Sequence, residues 1–211
     1  MLCYVNRKNV TYYPHLRRTK RGREVYVMTR TRRGALEQLP PGMEIVENVN
    51  AQVSMRVRRK RNITAEEESL VRAALETPEL KSYRLEIKDR EIIICEPRYD
   101  IDGAARSNSD LFYANPVRDL VIQQAGIKAG GQELNVYLQQ RREEARAALE
   151  RDQNYEPVLK LTVSRQPGRR FIVERMKYTG EGGWRYVNTV TLDEAVRKYI
   201  PTLGKDSFFE M

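Results

Sequence analysis

Apolar and polar side chains alternate with a period of two in several short stretches of the chain. The clearest is residues 53–57, where three apolar side chains alternate with Ser54 and Arg56. Strict alternation places the apolar side chains on one face and the polar ones on the other, as in a half-buried β-strand. We predict further strands at the other short apolar runs: 25–28, 43–46, 83–87, 92–95, 158–163, 171–178 and 184–187.

Helix-start signals lie between these groups of strands. Thr64 is followed three residues later by Glu67, and Thr191 by Glu194. Both are capping-box patterns, in which the hydroxyl and the carboxylate each accept a backbone N–H at the helix start. The Asn-Pro pair at 115–116 is typical of a third helix start, with the proline at the first helical position.

A longer helix is predicted at residues 132–151. It has a narrow apolar stripe, with Leu134, Leu138 and Leu149 among its members, and its other side is dense in Arg, Glu and Gln. Such a helix packs its stripe against the rest of the chain or against a partner. We prefer packing within the chain, and a homodimer through this helix is the alternative.

Hairpins and helices in separate runs indicate an α+β protein. We expect antiparallel hairpins and meanders with about four helices, rather than a doubly wound parallel sheet. The proposed domains are a basic, β-rich N-terminal segment at 1–62 and an α+β body at 63–211. The body would contain a helix and hairpin, two central helices, and a C-terminal three-stranded meander closed by a helix.

Charge is distributed unevenly between these two parts. Residues 1–62 contain 15 Lys or Arg and four acidic residues, a net charge of +11, whereas residues 63–211 have a net charge of −2. Summed charge governs association and non-specific binding rather than fold. The basic segment is therefore the place where we expect a partner to bind.

The basic residues form two dense clusters with tyrosines between them. Arginines outnumber lysines, and their planar guanidinium groups suit bidentate phosphate contacts. If the strand at 53–57 continued, Arg56, Arg58 and Lys60 would form a row on one face. Tyrosines beside cations are typical of proteins that stack single-stranded bases. The predicted nucleic-acid-binding residues are Arg17, Arg18, Lys20, Arg21, Arg23, Arg56, Arg58, Arg59, Lys60, Arg61, Tyr12 and Tyr13.

Our leading hypothesis is a non-enzymatic, cytoplasmic protein that binds a polyanion, most simply nucleic acid, through this segment. Three alternatives remain open. The basic surface could serve only as a solvated face, it could pair with acidic groups of the body, or it could bind an acidic protein or a lipid surface. The tyrosines, in turn, have the alternative role of packing the small N-terminal sheet.

A second, smaller basic patch lies in the C-terminal meander. Arg165, Arg169 and Arg170 flank the predicted turn at 166–168, and other cations follow on the adjacent strands at Arg175, Lys177 and Arg185. Two patches could bracket one polyanion. We prefer to interpret these residues as exposed positions of a half-buried sheet.

The best catalytic candidate is the pair Glu86 and Lys88, on one side of a predicted strand. With Glu79 upstream and an acidic residue of the preceding helix, the pattern resembles the PD-(D/E)xK nucleases. In that family carboxylates hold Mg²⁺ and the lysine positions or activates water. The chain departs from the family at Glu79, which follows Pro78 where the family has aspartate, and in the short spacing to Glu86. The resemblance implies magnesium-dependent cleavage as the alternative function.

Other chemistry has little support in the sequence, and we expect no cofactor. Residues 100–103 resemble the opening of a calcium loop, but the twelfth position is Leu111 where a ligating glutamate is needed. Cys3 and Cys95 are too few for a disulfide framework, and His15 is the single histidine. The longest aliphatic run, 92–94, is far shorter than a membrane span requires.

Overall fold

The computed structural model describes residues 1–101, 132–177 and 182–210. Within these ranges the chain forms ten β-strands, four α-helices and one 3₁₀ helix. The strands pair antiparallel throughout the described sheets, so the predicted α+β class is confirmed. Contacts divide the chain into a main unit, Met1–Pro97 with Asn154–Met211, and an inserted unit, Arg98–Gln153. The proposed domain boundary after residue 62 stays a prediction.

The N-terminal part of the main unit contains two small sheets. Strands β1 (Tyr4–Val5), β2 (Thr11–Arg18) and β3 (Glu24–Thr29) form a three-stranded sheet in that order. Strands β4 (Met43–Glu47) and β5 (Val53–Val57) form a separate hairpin. The predicted strands at 25–28, 43–46 and 53–57 are confirmed by β3, β4 and β5.

The rest of the main unit is built on one five-stranded sheet. Each strand lies beside its neighbour in the chain: β6 (Arg84–Ile87), β7 (Glu91–Pro97), β8 (Tyr155–Val163), β9 (Phe171–Lys177) and β10 (Gly183–Val190). The sequence predicted a hairpin and a separate three-stranded meander. The structure joins them, because β7 pairs with β8 across the inserted unit.

The inserted unit replaces an ordinary hairpin connection. Pro97, the last residue of β7, lies opposite Tyr155, the first residue of β8. The chain therefore leaves the sheet for the insertion and returns to it at one pair of opposed residues.

Helix α1 (Ala65–Ala74) begins with the predicted capping box. The Thr64 hydroxyl accepts from the Glu67 N–H at 3.3 Å, and the Glu67 carboxylate accepts from the Thr64 N–H at 2.9 Å. Two orphan N–H groups of the helix start are thereby satisfied. Thr191 likewise accepts from the Glu194 N–H at 3.3 Å, at the start of α3 (Leu192–Lys198).

Helix α2 (Gln132–Asp152) lies in the inserted unit and matches the helix predicted at 132–151. Its charged side includes an i,i+4 ion pair between Arg146 and Glu150 at 3.1 Å. Among the described helices, none combines the length and the apolar character needed to cross a bilayer. The proposed dimer through this helix stays a prediction. The helix start predicted at 115–116 lies outside the described residues.

One face of the five-stranded sheet carries the large core. The helices packed there are α1, α3, the 3₁₀ turn Ile200–Thr202 and α4 (Asp206–Phe209), each of which contributes apolar side chains. The largest fully buried ones include Tyr199, Phe171 and Phe208. The C-terminal end of the chain is thus part of the core.

The opposite face of the sheet carries a second, small core. Ile93, Cys95 and Tyr155 are buried there, with Val49 and Trp184 packed against them. Strand β7 is therefore covered on both faces, which explains why its apolar run is continuous rather than alternating.

Asn50 links the β4–β5 hairpin to the sheet through the backbone of Tyr155. Its side-chain amide donates to the Tyr155 carbonyl at 3.0 Å, and its side-chain carbonyl accepts from the Tyr155 N–H at 2.7 Å. The guanidinium of Arg7 lies 5.4 Å from the centre of the Tyr155 ring. The amide of Asn50 thus pairs with β8 as a neighbouring strand would.

Replacing this amide tests the link. Asn50→Ala should lower the free energy of unfolding by about 2 kcal/mol, because two main-chain groups of a buried residue lose their partners. Ser54→Ala, an exposed change on the same hairpin, should alter it by less than about 0.5 kcal/mol. Urea denaturation measures both. Equal stability of the Asn50 variant and the wild type would contradict the proposed role of this contact.

The two cysteines should differ sharply in reactivity. Cys95 is 1% exposed, and burial, with a smaller contribution from Glu86, raises the pKa of its thiol to about 12. Cys3 is exposed. Because the thiolate is the reactive form, Ellman's reagent at pH 8 should titrate one thiol in the native chain and two in denaturant. Rapid labelling of both thiols in the native protein would contradict the packing of β7.

Candidate nucleic-acid interface

The first predicted basic cluster lies at the end of the β2–β3 hairpin. The last rung of this hairpin pairs Arg18 with Glu24, and a turn connects the two strands beyond it. We refer to residues 17–24 as the hairpin tip. All the cations of the cluster are exposed there: Arg17, Arg18, Lys20, Arg21 and Arg23.

Backbone hydrogen bonds close the turn at the tip. The Thr19 N–H donates to the Arg23 carbonyl at 2.8 Å, and the Gly22 N–H donates to the Thr19 carbonyl at 2.9 Å. The Thr19 hydroxyl also accepts from the Arg23 N–H at 3.1 Å. Gly22 has φ of +78°, a conformation that favours glycine. The cations are therefore presented on an ordered turn.

Most of the charge at the tip has no counter-charge. Arg18 pairs with Glu24 at 3.3 Å, but their side chains are 76% and 52% exposed, so water screens this pair. Within the described part of the chain, no acidic side chain pairs with the other four cations, Arg17, Lys20, Arg21 and Arg23. The tip therefore carries a concentrated positive charge that faces solvent.

The second basic cluster has a different local structure from the one predicted. Strand β5 ends at Val57, and the Arg58 N–H donates to the Gly42 carbonyl at 2.7 Å just beyond the hairpin ladder. Lys60 lies outside the strand. The row of Arg56, Arg58 and Lys60 on one strand face is therefore not formed.

Acidic neighbours neutralise part of this second cluster. Arg56 pairs with Glu44 at 2.7 Å, Arg58 approaches the same carboxylate at 3.9 Å, and Arg61 pairs with Glu68 of α1 at 3.7 Å. The Arg61–Glu68 pair matches the alternative in which basic residues pair with acidic groups of the body, whereas Glu44 belongs to the N-terminal segment itself.

Two cations of the second cluster remain without an acidic partner in the described ranges. Arg59 and Lys60 are both exposed. Arg59 lines a cleft of about 220 Å³ together with Arg56, Val57, Arg61 and Asp89. The guanidinium of Arg59 could donate hydrogen bonds to a phosphate oxygen in this cleft, whereas Arg56 and Arg61 are already paired with Glu44 and Glu68.

The two predicted tyrosines lie on β2, away from the tip. Tyr12 is opposite Tyr4 and Tyr13 is opposite Thr29, and both are half-buried. Tyr13 precedes Arg17 by four residues, or about 14 Å along a strand. The structure therefore brings the five cations of the first cluster together but does not place the tyrosines among them.

Further cations were not singled out from the sequence. Arg30, Arg32 and Arg33 are exposed after β3, at the other end of the hairpin from the tip. The sequence feature that could have identified them is the presence of three arginines within four residues. The adjoining loop is fixed by His15, whose Nε2 lies 2.8 Å from the Thr31 carbonyl oxygen.

The C-terminal basic patch is largely structural. Arg169 donates to both carboxylate oxygens of Glu67 at 2.6 and 2.7 Å, and to Asn62. Arg170 donates to the Thr189 carbonyl at 3.1 Å. Arg175, predicted to be exposed, is only 7% exposed and donates to the Phe209 carbonyl at 3.0 Å. That prediction was wrong because the C-terminal segment covers this end of β9.

Glu86 and Lys88 line a polar groove of about 630 Å³ between β4, β6 and α1, and Glu79 does not line it. Lys88 approaches Glu86 at 3.8 Å. Glu68, which also lines the groove, lies between Arg61 and Arg72, and Glu67 is bound by Arg169. In the described ranges, no three His, Cys, Asp or Glu side chains group closely enough to hold a metal ion. Most of the calcium-loop candidate, from Asp102 to Leu111, lies outside these ranges.

The salt bridge between Glu67 and Arg169 should make the stability of the fold depend on pH. Hydrogen bonding to Arg169 lowers the pKa of Glu67. A carboxyl group whose pKa is lower in the folded state stabilises the fold at pH values above its unfolded-state pKa, which is about 4.3 for Glu. This stabilisation is lost as the pH falls through the folded-state pKa.

Glu67→Gln keeps a residue suited to the capping box but removes the charge. The variant should be about 1 kcal/mol less stable at pH 7 and should lose less stability than the wild type between about pH 5 and 3. Urea denaturation across this range measures the difference, and Arg169→Gln should reproduce it. Parallel pH curves for wild type and Glu67→Gln would contradict the assignment.

Comparison of the chain with protein-family models, with curated proteins and with solved structures gave no match.

Proposed function

We propose that this chain is a non-enzymatic protein that binds nucleic acid through the hairpin tip. The observation that carries the proposal is the set of four exposed cations, Arg17, Lys20, Arg21 and Arg23, for which the described residues offer no acidic partner. Phosphate groups are the natural counter-charge for such a set, and arginine binds them with two parallel hydrogen bonds.

The proposal is supported by the difference between the tip cations and the cations of the other two basic clusters. Arg56, Arg58 and Arg61 of the second basic cluster have carboxylate partners, and so does Arg169 of the C-terminal patch. Four cations that are unpaired in the described ranges lie within seven residues on the ordered turn of the tip, whereas those chosen for the control below are spread over the main unit. Concentration of charge at one place raises local attraction for a polyanion and its rate of association.

The second cluster adds a secondary contact to this proposal. Arg59 and Lys60 are exposed, and Arg59 lines the arginine-rich cleft beside Asp89. These contacts would be independent of base sequence, because phosphates carry no sequence information. The proposal also assigns the protein to the cytoplasm, where its two free thiols would stay reduced.

Salt dependence of binding tests the proposal. Two variants each remove four positive charges by substitution with glutamine. The tip variant changes Arg17, Lys20, Arg21 and Arg23. The control variant changes four exposed cations elsewhere on the main unit, for which the described residues likewise offer no acidic partner: Lys81, Arg165, Lys177 and Lys205. Equal charge removal separates an effect of position from an effect of net charge.

Fluorescence anisotropy with labelled DNA over a salt series should distinguish the two variants. If all four tip cations contact phosphates, the slope of log K against log salt should become shallower by about 3.6 in the tip variant, since each duplex contact contributes about 0.9. Its affinity at low salt should fall by about 100-fold, while the control variant should stay close to the wild type. Circular dichroism and urea denaturation would establish that both variants fold.

Two outcomes would contradict the proposal. Equal weakening by both variants would show that binding follows overall charge or needs both patches. Weak binding with a flat salt response from the wild type would exclude nucleic acid as the partner and favour an acidic protein.

A further inference from the structure

We infer that the nucleic acid bound by the hairpin tip is duplex DNA, with the tip inserted into the major groove. The inference rests on the proposed function and deepens it. Its basis is the shape of the β2–β3 ribbon and the way its cations are divided between the two faces.

The exposed end of the ribbon is two strands wide. Strand β1 pairs with β2 only at Thr11 and Tyr12, and the Leu36 N–H donates to the Pro14 carbonyl at 2.8 Å. Beyond Pro14, the described sheet gives β2 only one neighbouring strand, β3. Two strands lie about 4.8 Å apart, and a sheet with its side chains is about 10 Å thick.

These dimensions distinguish the grooves of nucleic acids. The major groove of B-form DNA is about 12 Å wide and admits a two-stranded β-ribbon, whereas its minor groove is about 6 Å wide. The major groove of an RNA duplex is deep and narrow, and side chains cannot read it. The minor groove of an RNA duplex is wide but shallow, so it would not enclose the inserted end of the ribbon. Of these four grooves, only the DNA major groove accepts the ribbon without deformation.

The length of the exposed end fits the same groove. Three rungs precede the turn, from the pair Leu16 and Tyr26 to the pair Arg18 and Glu24. These three rungs span about 7 Å, the turn at 19–23 extends beyond them, and the DNA major groove is about 8.5 Å deep. The turn that carries Lys20 and Arg21 would therefore reach the floor of the groove.

Arginine side chains lie on both faces of the ribbon, and on one face Arg18 lies opposite Glu24 and forms a solvent-exposed ion pair with it at 3.3 Å. Arg17 and Arg18 are consecutive strand residues, so their side chains point to opposite faces. A ribbon inside the major groove has a phosphate backbone on each side, and each arginine would face one of them. A single strand lying across the tip would use the cations of one face.

The test compares four labelled probes of one mixed sequence and equal length: DNA duplex, RNA duplex, single-stranded DNA and single-stranded RNA. Anisotropy should show the wild type binding the DNA duplex at least about tenfold more tightly than the other three, a difference of about 1.4 kcal/mol. Methyl green, which occupies the major groove, should displace the protein, and the minor-groove ligand netropsin should not. In the tip variant, the preference for the DNA duplex should disappear.

The outcomes separate the inference from the proposed function. Equal affinity for the RNA duplex or for a single strand, or displacement by netropsin, would overturn the major-groove inference. If that binding still depended on salt and on the tip cations, the proposed function would stand. Failure of the tip substitutions to weaken binding to any of the four probes would overturn both.

Discussion

Pairing of β7 with β8 is the constraint on which the main unit depends. These strands form seven rungs, from Glu91 opposite Thr162 to Pro97 opposite Tyr155, although residues 98–154 lie between them in the chain. Closing a connection of that length costs about 2 kcal/mol more than closing a four-residue turn, by the logarithmic scaling of loop entropy. Full burial of one isoleucine contributes about as much, and Ile92 and Ile94 are both fully buried on β7. The long insertion is therefore compatible with a stable sheet.

Acidic neighbours divide the described cations of the main unit into those held in ion pairs and those left exposed without one. Near the sheet and helices, carboxylates lie within reach: Glu44 beside Arg56, Glu67 beside Arg169 and Glu68 beside Arg61. At the hairpin tip the one acidic residue, Glu24, is paired with Arg18, and the described residues offer no carboxylate to the other four cations. Position in the fold, more than local composition, thus separates exposed cations without a carboxylate partner among the described residues from those held in ion pairs.

Local patterns predicted the elements well. The period-two alternation at 53–57 and the capping box at Thr64 depend on neighbours in the sequence, and the structure confirms both. Pairing of β7 with β8 and the hydrogen bonds from the Asn50 side chain to Tyr155 join residues far apart in the chain. A local pattern in the sequence cannot predict such contacts. The same distinction holds for the candidate site. Clusters of cations can be read from the sequence, but the end of β5 at Val57, the burial of Arg175 and the partners of Arg61 require tertiary structure.

The groove between β4 and β6 has a consequence for self-association. In the described sheets each of these strands has a neighbour on one side only, and an open strand edge is where sheet proteins join into aggregates. Here charged side chains line both edges, with Glu44 held by Arg56 and Glu86 beside Lys88. A second chain adding a strand would have to remove these ion pairs from water without replacing their partners. The same charges that resemble a catalytic site can thus keep concentrated protein from polymerising edge to edge.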